Sequence, residues 1–288
     1  MKSMNYLLLL FLLPVGICWG QSVDVDVNVN VGETSPEKDY KIKAVAELGF
    51  LGVFDHKIQF GQNTTYFDLR KDGGQDVLFP VTRLSLELNF KQHNTFILLY
   101  QPLKIDSKVA LREDVQIDDV LYPMGTTLNV SYGFPFFRAS YLRDLKFAGD
   151  KFGLALGLSV QIRNADIRFS SGNGSRLQRS SNIGIVPLLK LRAFYQQNEN
   201  MSLELEADGI YAPVSYLNGS DNEVIGSLLD VSLRQNFQLI PAAKVFLNLR
   251  YLGGGAQGVS DDTSQVSDGF SKNWLHFFTV TAGFAYEF

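Results

Sequence analysis

Phe277-Phe278-Thr279-Val280-Thr281-Ala282-Gly283-Phe284-Ala285-Tyr286-Glu287-Phe288 closes the chain, and its alternation decides how the rest is read. Successive side chains of an extended segment point to opposite faces, so Val280, Ala282, Phe284, Tyr286 and Phe288 share one face. The residues between them are small or polar. The segment is therefore a strand that is apolar on one side only.

The same alternation recurs upstream. Strands are expected near 41–53, 80–91, 94–104, 131–146, 151–168, 183–196, 200–213, 227–239, 243–255 and 274–288. Short turns fall at Lys91-Gln92-His93-Asn94, Ala148-Gly149-Asp150, Gln197-Asn198-Glu199-Asn200 and Ile240-Pro241-Ala242. Long polar connections fill 54–79, 105–130, 169–182, 214–226 and 256–273. Short turns at one end and long loops at the other are the signature of a transmembrane β-barrel, and a soluble sandwich has no need of it. The expected fold is all-β, an antiparallel up-and-down barrel of about ten strands with both termini at the short-turn end. The second long loop contains a further hairpin, Val115–Val120 and Thr126–Val130 around Tyr122-Pro123-Met124-Gly125. Projecting outward, it leaves ten strands; inserted in the membrane, it makes twelve.

The two faces differ chemically. Leu229, Val231, Leu233, Phe237 and Leu239 oppose Asp230, Ser232, Arg234, Asn236 and Gln238, and Val245, Leu247, Leu249 and Tyr251 oppose Lys244, Asn248 and Arg250. Nearly every strand carries such an apolar face with no helix to cover it, which makes lipid the simplest partner. Phe90, Tyr141, Tyr195, Phe237 and Tyr286 fall near the short-turn ends, and Phe50, Tyr211, Tyr251 and Trp274 near the long-loop ends. They would form the two aromatic girdles of a membrane barrel.

At the other end of the chain, Lys2 precedes the apolar run Tyr6–Leu13, and Cys18-Trp19-Gly20 places small residues where a signal peptidase reads. Residues 1–20 are expected to be a signal peptide cleaved before Gln21. The run is shorter than the roughly 20 residues a membrane helix needs, and bulky Ile17 argues against a lipid anchor on Cys18. Residues 21–39, with the alternating Val23–Val31, read as a periplasmic arm; an extra membrane strand is the alternative, although aromatic anchors are missing. The barrel is expected over 40–288.

Taken with the signal segment, the final strand resembles the carboxy-terminal insertion signal of Gram-negative outer-membrane β-barrels. That resemblance implies an outer-membrane location, contact with outer-membrane lipid, and recognition of Phe288 by the barrel assembly machinery.

Composition agrees without deciding. The 288 residues are 45% hydrophobic, and a net charge of -4 gives no reason to invoke nucleic acid. The one cysteine, Cys18, lies in the signal segment, so the mature protein would have no disulfide, thiol nucleophile or cysteine-ligated metal. No cofactor is expected.

Carried through every strand, the alternation gathers Lys43, Glu47, Arg83, Glu87, Arg138, Arg163, Lys190, Arg192, Glu204, Glu206, Asp208, Asp230, Arg234, Lys244 and Arg250 on the inward face. Lys190 and Arg192 are expected to pair with Glu204 and Glu206 across one short turn, and Asp230, Arg234, Lys244 and Arg250 to complete the network. Such charges fill a narrow barrel structurally or form a selective constriction. About ten strands favours a filled or very narrow lumen, because eight leave room for little beyond side chains.

Catalytic constellations rest on His56, His93 and His276. Asp55 and His56 are adjacent, so they do not share a face as the Asp-x-His of the membrane proteases does. His93 lies in a short turn with Thr95 two residues on, which breaks the His-x-Ser of the lipid deacylases. His276, beside Trp274 with Ser271 close by, reads as an interfacial anchor. Asp118-Asp119 and Asp261-Asp262, with Ser260 and Asp268, offer oxygen ligands for calcium, although acidic loop pairs usually serve solubility. Gly253-Gly254-Gly255 precedes no helix and suits close backbone approach better than phosphate binding. Asn63-Thr64-Thr65 and Asn218-Gly219-Ser220 match the glycosylation triplet, incidentally in a bacterial protein. The expected function is thus that of a non-enzymatic membrane barrel, a narrow channel or a structural, surface-displayed protein. The alternative is a lipid-modifying enzyme at the outer rim using His56 or His276.

Overall fold

The computed structural model describes residues 39–91, 93–145, 151–213, 223–260, 263–264 and 266–288. The signal segment, nearly all of the arm, the 148–150 turn, the 218–220 triplet and Asp261-Asp262 lie outside the described residues.

Fifteen strands follow in order: β1 Tyr40–Phe60, β2 Phe67–Asp68, β3 Leu78–Phe90, β4 Asn94–Gln101, β5 Lys104–Ala110, β6 Val115–Ile117, β7 Val120–Tyr122, β8 Thr127–Gly133, β9 Phe136–Leu145, β10 Phe152–Ser171, β11 Leu177–Asn198, β12 Met201–Pro213, β13 Glu223–Ile240, β14 Ala243–Val259 and β15 Phe270–Glu287. The sheet runs β11-β12-β13-β14-β15-β1-β3-β4-β9-β10, and β10 pairs with β11 to close it. This is a closed antiparallel barrel of ten staves.

The hairpin in the second connection adds no stave. β5 pairs only with β8, and β8 pairs with β10 above the stretch of β10 that meets β9. β5 therefore prolongs β4 and β8 prolongs β9, each across a proline, Pro102 and Pro135. Proline cannot donate to a ladder, so each stave breaks there. Phe134 N–H still donates to Leu103 O at 2.8 Å, and Asn164 N–H to Pro135 O at 3.1 Å, holding the break together.

Along the outer wall, Leu156, Leu158, Val160 and Ile162 of β10 are exposed, then Asn164, Asp166 and Arg168 continue the same face. On β1 the outward face passes from Leu48, Phe50 and Phe54 to Asp55 and Lys57. The change marks the outer edge of an apolar belt, with Leu189 71% and Val280 58% exposed within it. A wall of that kind is stable only against hydrocarbon. All the expected girdle aromatics face outward from it, Tyr211, Tyr195 and Tyr141 among the most exposed.

The strands outrun their expected ends. β1 continues to Phe60, β10 to Ser171, β11 starts at Leu177, β14 reaches Val259 and β15 starts at Phe270, so the loops expected at 54–79, 169–182 and 256–273 are shorter than the alternation suggests. Above the belt the outward face turns polar, but the inward residues remain apolar and the ladder continues.

The interior has two tiers. Above, Leu51, Ile58, Phe60, Phe67, Leu69, Ile105, Ile117, Tyr122, Leu128, Phe169 and Phe277 belong to one buried apolar cluster. The first and second connections fold inward to complete it, and Tyr122 Oη donates to Phe169 O at 2.8 Å. Burial in this cap pushes the Tyr122 hydroxyl up to about 12. The lower tier is polar and charged. At its base Val45, Phe246 and Ala285 form a small apolar floor.

A charged lumen as candidate functional site

Inward-facing positions of seven staves bring the charges of the lower tier together. Lys43 contacts Glu87 at 2.8 Å, Glu87 contacts Arg192 at 3.2 Å, and Arg192 contacts Glu206 at 2.5 Å. Glu206 meets Lys190 at 3.1 Å, Lys190 meets Asp208 at 2.9 Å, and Asp208 meets Arg138 at 2.8 Å. Arg138 also reaches Asp230 at 2.8 Å, and Asp230 takes both forks of Arg250. Charge alternates in sign along this whole chain. A second, shorter chain links Arg83, Glu47, Arg234 and Glu204, at 3.8, 3.1 and 3.3 Å.

Neutral groups occupy several of the remaining lone pairs and protons, which buried ions need. Gln161 Oε1 accepts from Arg138 Nε and Nη2, Ser159 Oγ donates to Asp208 at 2.6 Å, and Gln101 Oε1 accepts from Arg250 Nη1. Glu47 accepts from Asn248 and Thr281, both at 2.9 Å. Alternation places such neutral residues inward but does not mark them as partners.

Two expectations are corrected. Lys190 and Arg192 share Glu206, but Glu204 pairs with Arg234 instead, because the register sets Lys190 opposite Asp208, Arg192 opposite Glu206 and Phe194 opposite Glu204. The hairpin is offset by two residues from the expected pairing. Lys244 lies inward near the short-turn end, beside Gln238 in register, and forms no ion pair within 4 Å among the described residues. Arg163 stacks over Phe134, 5.7 Å from its ring centre. Arg163 therefore belongs with the apolar tier, and among the described residues the lower tier collects eight cations, Lys43, Arg83, Arg138, Lys190, Arg192, Arg234, Lys244 and Arg250, against six carboxylates, Glu47, Glu87, Glu204, Glu206, Asp208 and Asp230.

Phe246 is an inward aromatic on a face expected to be polar. Its ring covers Gly283, where a side chain would collide with it, and carries the Arg234 guanidinium 4.3 Å from the ring centre. The face-by-face pattern of β14 gives no signal of it beyond parity.

The histidines separate. A bulge at Phe54 inserts one extra residue between Val53 opposite Phe277 and Asp55 opposite His276. A bulge reverses the parity of the strand beyond it, so His56 turns into the barrel, where it is fully buried, and Asp55 turns out to Lys57 at 2.8 Å. His56 Nδ1 meets Gln75 Oε1 at 2.5 Å and its ring meets the edge of Tyr132. Burial lowers its basicity to about 4, against the opposing pull of Gln75, Asp55 and Asp68. His276 faces outward between Trp274 and Tyr251, with Nδ1 2.9 Å from the Tyr251 hydroxyl. Gly253 and Gly255 lie opposite His276 and Trp274, and a methyl on either would strike these rings. The glycine run lets the outer girdle lie flat on the wall.

Above the belt, Asp118 joins two connections to the start of β11: Oδ1 accepts from Ser267 N–H and Oγ–H, and Oδ2 from Gln178 Nε2. Its carboxylate is thus engaged by protein donors. On the outer side of β5, β8 and β10, Asp106, Lys108, Asn129, Ser131 and Arg168 line an open groove of about 700 Å³.

No protein-family model matches the sequence, and no curated protein matches it. Among solved structures, the chain is similar to the outer membrane protease OmpT from Escherichia coli, at 13% identity and a TM-score of 0.46 over 86% of this chain and 97% of that one. It is similar to the outer membrane protein OprG from Pseudomonas aeruginosa, at 12% identity and a TM-score of 0.32 over 85% and 95%. Ail, the attachment invasion locus protein of Yersinia pestis, matches at 10% identity and a TM-score of 0.31 over 86% and 99%.

Proposed function

We propose that the chain is an integral outer-membrane protein with a sealed, non-conducting barrel, whose work is done by the surface it displays above the membrane. The observation that carries this reading is the two-tier interior. A path through the barrel would have to cross both an apolar cap around Phe60, Phe67, Tyr122 and Phe169 and an ion-pair chain whose groups are bound to one another across the lumen. Neither tier offers a continuous wet surface to a solute. The strand extensions and the open groove beside Asp106, Lys108 and Arg168 stand clear of the apolar belt and supply polar, accessible surface. In this reading the signal segment exports the chain and the aromatic-ended last strand directs its insertion.

Refolded protein in planar bilayers tests the proposal. No unitary conductance is expected, and heating-dependent migration in detergent gels should report the closed barrel. Stable open channels in the folded protein would replace this reading with the narrow-channel one.

A further inference from the structure

Within the charged tier lies a small cavity of about 10 Å³. Arg83, Arg138, Lys190, Arg192 and Arg234 line it, against the carboxylates of Glu87 and Glu206 alone. Its wall is therefore cationic by three charges. Most of these cations are engaged elsewhere, but Arg83 is not. Its side chain is buried, its Nη1 stands 3.8 Å from Glu47, beyond hydrogen-bonding reach, and neither Nε nor Nη1 has an acceptor among the described residues. Arg234 Nε, on the same wall, likewise has none.

Buried N–H groups of a guanidinium without an acceptor are costly, and surplus positive charge in a confined interior adds to that cost. Both are relieved by one monatomic anion: a cavity of roughly 10–15 Å³ is the size that admits a single water, and the long arginine side chains of the wall can yield the little further room a halide needs. We infer that this cavity binds a single monatomic halide, chloride in ordinary media, held by Arg83 with the aid of Arg234. Polyatomic oxyanions are too large for it. The halide would serve as a structural counter-ion of the lumen. This proposal stands apart from the sealed-barrel reading, which conductance tests separately.

Two measurements decide it. Crystals of the wild-type protein grown in bromide should give an anomalous peak within hydrogen-bonding distance of the Arg83 guanidinium. In solution, replacing sodium gluconate by sodium chloride at constant ionic strength should raise the unfolding midpoint, and raise it with the logarithm of chloride concentration once the site is filled, as ligand linkage requires. Arg83→Gln should abolish that chloride dependence while keeping heat-modifiable migration. A bromide-free cavity in the wild type, or equal midpoints in the two salts, would mean that water alone fills it and would overturn the proposal. The wild-type measurements hold even where the variant fails to fold.

Discussion

Glu47 and Arg234 meet at 3.1 Å although 187 residues separate them in the chain. Two staves, β14 and β15, stand between theirs. Such contacts span the lumen and exist only once the cylinder is closed, so the charged tier reports tertiary closure where the strand ladders report neighbours.

Removing different carboxylates should have unequal effects. Glu206 holds both Lys190 and Arg192, which without it keep only Asp208 and Glu87, so Glu206→Ala breaks two buried pairs at once and should destabilise the refolded barrel by about 3 kcal/mol, the low end of the range for breaking a buried pair. Glu204 serves Arg234, which keeps Glu47, so Glu204→Ala should have the smaller effect. Urea titration followed by gel mobility measures both, and equal losses would contradict the observed register.

Acid should weaken the protein through His56. In the folded chain its basicity falls from 6.5 to about 4, so the unfolded chain binds the proton first. Its contribution is complete at neutral pH, falls as pH drops from about 6.5 and levels off below about 4, a loss of about 3 kcal/mol. His56→Gln should flatten the pH dependence in that window. Parallel curves for parent and variant would contradict this assignment.

Assembly should depend on the apolar face of β15. Deleting Phe288, or replacing Tyr286 and Phe288 together by Asp, should leave little barrel in the outer-membrane fraction, since charge on the lipid face is unfavourable. Glu287→Gln should assemble normally, because its ion pair with Lys41 at 3.0 Å is exposed and worth little. Fractionation after expression compares the three.

Gly255→Val would press its Cβ on the Asn273 carbonyl as well as the Trp274 ring, so it should shift strand β15 locally, displace the indole and destabilise by about 1–3 kcal/mol, the usual range for overpacking. In protein produced from Gln21 onward, which lacks Trp19, Trp274 is the one tryptophan and its fluorescence would report the displacement. An unchanged emission maximum would show that the indole does not rest on Gly255.

The belt and the stave count were legible because parity alone separates lipid-facing Leu229 and Leu247 from lumen-facing Asp230 and Asn248. Parity also placed the lumen charges inward. It could not choose Arg234 over Arg192 as the partner of Glu204, since that depends on a two-residue offset in the turn before Met201. Nor could it foresee the bulge at Phe54, which inverts every residue of β1 above it and carries His56 inside. The apolar cap was hidden for a related reason: its members come from segments whose outward neighbours are polar, a pattern that reads as loop.

The seam between β1 and β15 joins the first stave to the last, with Lys43 opposite Glu287 and Phe288 N–H donating to Ile42 O at 2.8 Å. A barrel lacking either β1 or β15 would present two bare edges to hydrocarbon, where unpaired peptide groups are not tolerated. Closure is thereby all or nothing at this one seam: the eight other staves, however well paired with one another, cannot stand in lipid without it. Two strands from far-apart stretches of the chain decide whether the cylinder has a border at all.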